Sequence, residues 1–108
     1  MNGTPSMSAA VRRALDERWP RVCEASRSHL AAIEAFMLAG IAATTAQREA
    51  ACSAAHKLSG SLGMFGRGDA SAVAAAIEEL LANDDNISEL RPLVDRLDTL
   101  IRLVPPAG

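Results

Sequence analysis

Along most of the chain, apolar residues recur at intervals of three and four, the spacing that lines one face of an α-helix. Strict apolar–polar alternation, the mark of a half-buried strand, is missing. Met1 to Ser6 contains Gly3 and Pro5 and reads as a frayed start. Met7 to Arg18 predicts a short first helix, stopped near Trp19 because Pro20 disfavours helical geometry in the residue before it. A longer helix is expected from Arg21 to Ala39, with Val22, Leu30, Ile33 and Met37 at helical spacing and Gly40 placed to end it. Thr44 or Thr45 can cap a third helix that continues to about Phe65.

Gly66 and Gly68 interrupt the pattern, and Asp69 is positioned to cap a helix running to about Ala82, with Val73, Ala76, Ile77 and Leu80 on one face. Asn83 to Asn86 form a polar turn. Ser88 then caps a final helix whose stripe is Leu90, Leu93, Val94, Leu97, Ile101 and Val104. Pro92 falls in its first turn, where amide hydrogens have no intrahelical acceptor, and Pro105 and Pro106 stop it. The predicted fold is all-α: an antiparallel up-down four-helix bundle with a short extra N-terminal helix. Residues 1–108 form one domain, with 1–6 and 105–108 frayed.

Composition narrows the function. The 108 residues suit a single domain. Hydrophobic residues are 49% but aromatics only 3%, so the helices must pack closely on alanine and leucine. With a formal net charge of −2 and charges interspersed, no basic stripe is present to neutralise phosphates, which argues against nucleic-acid binding. Cys23 and Cys52 stand far apart and read as reduced thiols. The start of the chain does not read as a signal peptide, and no segment approaches the ~20 apolar residues that span a bilayer. A cytoplasmic, freestanding protein that does not bind membranes is expected, with a monomer favoured.

The chemistry concentrates around His56. On a helical wheel of ~3.6 residues per turn, Ala51, Ala54, Leu58, Leu62 and Phe65 gather opposite His56 and define the core face. Beside His56 lie Glu49, Cys52, Ser53, Ser59, Gly60 and Gly63, all but Glu49 small. Gly60 and Gly63 each cost roughly 1 kcal/mol relative to alanine inside a helix, so their place on this face calls for a reason. Clearing side chains there lets another surface approach the imidazole; for Gly63, close packing against a neighbouring helix is the alternative. Imidazole, with an ordinary pKa of about 6.5, offers an unprotonated nucleophilic nitrogen near neutrality. Phosphoryl transfer to it needs mainly positioning and charge stabilisation.

His56, Leu58, Gly60, Ser61 and Gly66 together resemble the signature of the histidine-containing phosphotransfer (HPt) domains of two-component phosphorelays. That signature is a histidine with an apolar residue two positions on and glycine at four and about ten. The resemblance implies a four-helix bundle and a phosphorelay intermediate rather than an enzyme. His56 would accept a phosphoryl group and pass it to or from a receiver-domain aspartate. Response-regulator receiver domains and a hybrid histidine kinase are the implied partners. No cofactor is implied on this chain, the Mg²⁺ belonging to the receiver. The family usually carries lysine three residues after the histidine; here that residue is Ser59, with Lys57 one residue after the histidine instead. Lys57 and Ser59 are therefore the candidate phosphoryl neighbours, and Cys52, Ser53, Gly60 and Gly63 the candidate docking residues.

Other readings compete. A helical adaptor that binds a receiver or kinase without carrying phosphate is kept open by Ser59. The dimerisation hairpin of a histidine kinase fits poorly, since its histidine motif differs and no ATP-binding domain follows. A metal site built on Cys52 and His56 lacks further ligands, and no Ser-His-acid set suggests hydrolysis. His29 reads as a packing or solvated residue, Gly66 as a helix terminator, and Glu78, Glu79, Asp95, Arg96 and Asp98 as ordinary solvated helix faces.

Overall fold

The structure, a computed structural model, describes residues 8–83 and 87–102. Among them are four α-helices and no strand: α1 (Ala9–Ala39), α2 (Thr45–Met64), α3 (Gly68–Asn83) and α4 (Leu90–Arg102). Gly40–Ala42 and Ile87–Glu89 form single 3₁₀ turns before α2 and α4. The expected bundle is present, and no helix among the described residues is long and apolar enough to cross a membrane.

Each boundary has a local cause. Thr44 and Gln47 form a capping box: the Gln47 amide donates to the Thr44 hydroxyl at 3.0 Å, and the Thr44 amide donates to the Gln47 side chain at 2.9 Å. α2 ends in a Schellman motif, in which the Arg67 amide donates to the Leu62 carbonyl and the Gly66 amide to the Gly63 carbonyl. Gly66 supplies the left-handed residue this motif requires, with φ 78°. Asp69, expected as a cap, instead sits inside the first turn of α3, its carboxylate accepting from the Ala70 amide. Ser88 likewise falls within the 3₁₀ turn rather than at the start of α4. The termini and the rest of the expected polar turn, residues 84–86, lie outside the described residues, as do Val104, Pro105 and Pro106.

The expected short N-terminal helix is not separate. α1 runs unbroken for 31 residues through Pro20. Two circumstances outweigh the preference of Trp19 for extended geometry. Pro20 and Asp16 are both exposed, so the carbonyl left without a donor is open to water. Trp19 itself is buried, with its ring 5.6 Å from Phe65 and the Arg67 guanidinium 5.8 Å over its face. The indole N–H finds no acceptor among the described residues, so packing, not hydrogen bonding, holds Trp19 in helical geometry.

Facing pairs set the register. Trp19 meets Phe65, and Phe36 lies under Arg48, so α1 and α2 run antiparallel. Arg48 also donates to the Leu81 carbonyl, and Ser71 to the Ser59 carbonyl, so α3 returns antiparallel to α2. Arg67 ties the turn after α2 to the Leu100 carbonyl of α4. The core is centred on fully buried Ile33, Leu58, Leu62, Ile77, Leu90, Val94 and Leu97, each contributing roughly 1.5–3 kcal/mol by leaving water. Ala51, Ala55, Ala70 and Ala74 are buried too and allow α2 and α3 to approach closely; theirs is the most extensive packing of any helix pair.

Replacing Pro20 with alanine should restore the missing amide donor without disturbing Trp19. Stability to chemical denaturation is expected to rise by about 1–2 kcal/mol; an unchanged or lower midpoint would show that the proline fits α1 without cost.

Candidate functional site

His56 stands midway along α2 with its side chain 74% exposed, and the wheel's opposite side, from Ala51 to Leu62, is buried. Its Nδ1 lies 3.0 Å from a carboxylate oxygen of Glu78 on α3. A carboxylate accepts but does not donate when ionised. Nδ1 therefore carries the hydrogen, and in the neutral ring the lone pair sits on Nε2, pointing away from α3. For so exposed a pair the contribution to stability is small; its effect is to choose the tautomer and fix the ring's direction. Glu78, expected on a solvated helix face, is instead the partner of the imidazole. Its apolar neighbours on α3 gave no sign of the contact, which depends on the register between two helices.

The small residues around His56 divide into two groups. On one side they meet α3. The Cys52 thiol points at the Glu78 carbonyl at 3.9 Å. Ser59 lies 3.4 Å, oxygen to oxygen, from Ser71, whose hydroxyl also donates to the Ser59 carbonyl at 2.7 Å. A Cβ at Gly63 would come within 3.3 Å of the Ser71 hydroxyl. These three residues line the seam between α2 and α3, and for Gly63 the geometry follows the packing alternative. On the other side, Ser53 and Gly60 are exposed, and a Cβ at Gly60 would meet nothing within 4 Å. No contact inside the molecule requires glycine there.

Lys57 leaves His56 by about a quarter turn and extends toward α1, where it flanks a groove shared with His29. His29 is half-buried, and burial, with the Lys57 charge second, holds its pKa below the usual histidine value. Both described thiols are free. Among the described residues no three His, Cys, Asp or Glu side chains are placed to hold a metal ion together. What the arrangement offers chemically is an exposed imidazole with one nitrogen held by a carboxylate and the other free.

The Hpt domain family model matches the chain over residues 19–105, which takes in all of α2 to α4 and most of α1. Comparison with curated proteins and with solved structures finds no match.

The two helix-interior glycines should behave differently. Gly60→Ala fills open space and is expected to stabilise the bundle by about 1 kcal/mol. At Gly63 the same propensity gain is offset by crowding of Ser71, so Gly63→Ala should gain little or lose stability. Thermal melts of the two variants check this, and equal gains would remove the distinction.

Proposed function

The chain belongs to the Hpt domain family, a family of two-component phosphorelays, and from that premise we propose that His56 carries the phosphoryl group between receiver-domain aspartates. The observation that carries this reading is the exposed His56 whose Nδ1 lies 3.0 Å from the Glu78 carboxylate, which leaves Nε2 as the nitrogen available to a partner. Nε2 attacks the phosphorus of an aspartyl phosphate. The N–P bond forms as the bond from phosphorus to the aspartyl oxygen breaks, and the receiver's carboxylate leaves with its electron pair. The ring is left positively charged, with its Nδ1 proton against Glu78. In the second half of the cycle another aspartate attacks the same phosphorus, the N–P bond breaks, and Nε2 recovers its lone pair.

Glu78 supports both directions. A cationic ring opposite a carboxylate is stabilised as charge develops on accepting phosphate. The same proton on Nδ1 keeps the ring a good leaving group when phosphate departs. Glu78 is a positioning residue, since it touches the imidazole and not the phosphorus. The partner's Mg²⁺ and its carboxylates belong to the receiver side. Ser53 and Gly60 form the cleared approach to Nε2, and Lys57 stands at its edge. Ser59 occupies the place where the family usually has lysine, and its hydroxyl is close to Ser71, so the phosphoryl charge is met chiefly by the receiver. A cytoplasmic location follows from this role, since the receivers and kinases of such relays act there.

Incubation of wild type and His56→Gln with a phosphorylated receiver tests the reading. Acid-labile label is expected on the wild type alone. Binding without label on either protein, across several receivers, would instead establish a non-phosphorylated adaptor.

Glu78 has its own test. Removing the carboxylate in Glu78→Ala should slow transfer roughly tenfold, the equivalent of a charge-assisted hydrogen bond worth about 1.5 kcal/mol. Imidazole ¹⁵N spectra should show the hydrogen moving from Nδ1 toward Nε2, with Glu78→Asp recovering part of both effects. Unchanged nitrogen shifts would remove Glu78 from the mechanism.

A further inference from the structure

α1 is longer than the bundle it helps to build. It spans 31 residues against 20 in α2, and its first buried residue is Trp19, which meets Phe65 at the end of α2. The segment from Ala9 to Arg18 therefore projects past the bundle by about 15 Å. All of it is exposed except Leu15, which is half-buried. The family match begins only at Trp19, so the projection lies outside it.

Support from its own chain is slight. Ser8 caps the first turn, accepting from the Val11 amide at 3.2 Å. At the other end Pro20 lacks the amide that would tie the Asp16 carbonyl to the bundle. So short a length of helix is marginal in water unless one face packs against something. The projection has such a face. Val11, Ala14, Leu15 and the stem of Arg18 recur by three and four, and Val11 is left 48% exposed.

The charges beside that stripe are ordered. Arg12 and Asp16 lie one turn apart along one edge, and Arg13 and Glu17 one turn apart along the other. All four are exposed, and none makes an ion pair among the described residues. The same spacing of four does give ion pairs on α4, Arg91 with Asp95 and Asp98 with Arg102. Both edges thus read basic first and acidic second, a pattern complementary to itself in reverse. An antiparallel copy centred between Ala14 and Leu15 sets Arg12 against the partner's Asp16 and Arg13 against the partner's Glu17, each twice by symmetry. With the same centre Trp19 falls opposite the partner's Ala10, so each bundle begins where the other projection ends. A parallel copy would set arginine against arginine.

We propose that the projecting start of α1 pairs antiparallel with the same segment of a second copy of this chain, joining two bundles end to end. The pairing is independent of the phosphorelay reading. His56 lies about 12 Å before Met64 at the end of α2, so it stays uncovered in both copies. A contact this small belongs to the weak, transient class, with half-dimerisation expected at about 100 µM. At lower concentrations the chain is a monomer.

Sedimentation equilibrium of the full chain, from about 10 µM to about 1 mM around that midpoint, tests the pairing by charge exchange. Arg12→Glu/Arg13→Glu makes the projection wholly acidic, and Asp16→Arg/Glu17→Arg makes it wholly basic. Each variant alone should dimerise at least about tenfold more weakly than the wild type. Their equimolar mixture should recover dimers at the wild-type concentration or below it. Arg96→Glu on α4 should match the wild type, and salt should weaken the wild-type dimer. Circular dichroism should show the same helicity in every chain, since all the changes are at exposed positions.

A wild type still monomeric at the highest concentration overturns the pairing and leaves the projection to another occupant. Dimers undiminished in both charge-reversed chains place the contact elsewhere on the molecule and overturn it too. So does a mixture that stays monomeric while each chain keeps its helicity. Wild-type dimers strengthened by salt would have like charges facing, which overturns the antiparallel arrangement.

Discussion

The close approach of α2 and α3 is the constraint on which the site depends. Buried alanines on both helices bring the backbones together, and the Ser71 hydroxyl, donating to the Ser59 carbonyl at 2.7 Å, fixes their register. Gly63 keeps the space that Ser71 occupies. Only in that register does Glu78, two turns along α3 from Ser71, reach the imidazole of His56. A slip of one residue would turn Glu78 away by about 100° and leave the ring free to choose its own tautomer. The carboxylate gains little stability from the contact, being a partly exposed partner of a largely exposed ring. Packing therefore sets the chemistry, and the hydrogen bond follows from it.

The wheel around His56 was legible because it depends on one helix at a time. Ala51, Ala54, Leu58 and Leu62 are buried where the periodicity puts them. The capping residue Thr44 and the breaker Gly66 act locally and are found where local rules place them. What escaped the sequence involves two elements together. Pro20 signalled a helix end, but the signal is a preference of one dihedral angle, and the burial of Trp19 against Phe65 and Arg67 outweighs it. Glu78 looked like any exposed carboxylate because nothing in its own helix states which residue it faces. The small residues beside His56 looked like one cleared surface because a wheel has no neighbours. Once α3 is in place, Cys52, Ser59 and Gly63 belong to the seam, and Ser53 and Gly60 remain open.

That division gives the two glycines separate physical reasons. Gly63 is a packing residue, and its lost helix propensity is offset by the contact it permits. Gly60 has no such return within the molecule, since a Cβ there meets nothing. Each helix-interior glycine costs about 1 kcal/mol, and a domain of this size has little stability to spare. In the relay proposed above, that open position is the one a docking partner would use. It lies one turn from His56, on the side that faces the groove.

The charges around His56 are arranged by side as well. Glu78 lies toward α3, while Lys57, Arg18 and Arg21 lie toward α1. Glu78 is set against Nδ1 of the ring, and the cations stand on the opposite, open side of α2. In the relay proposed above, changes to α3 would alter how the histidine reacts, because of these charges only Glu78 touches the ring.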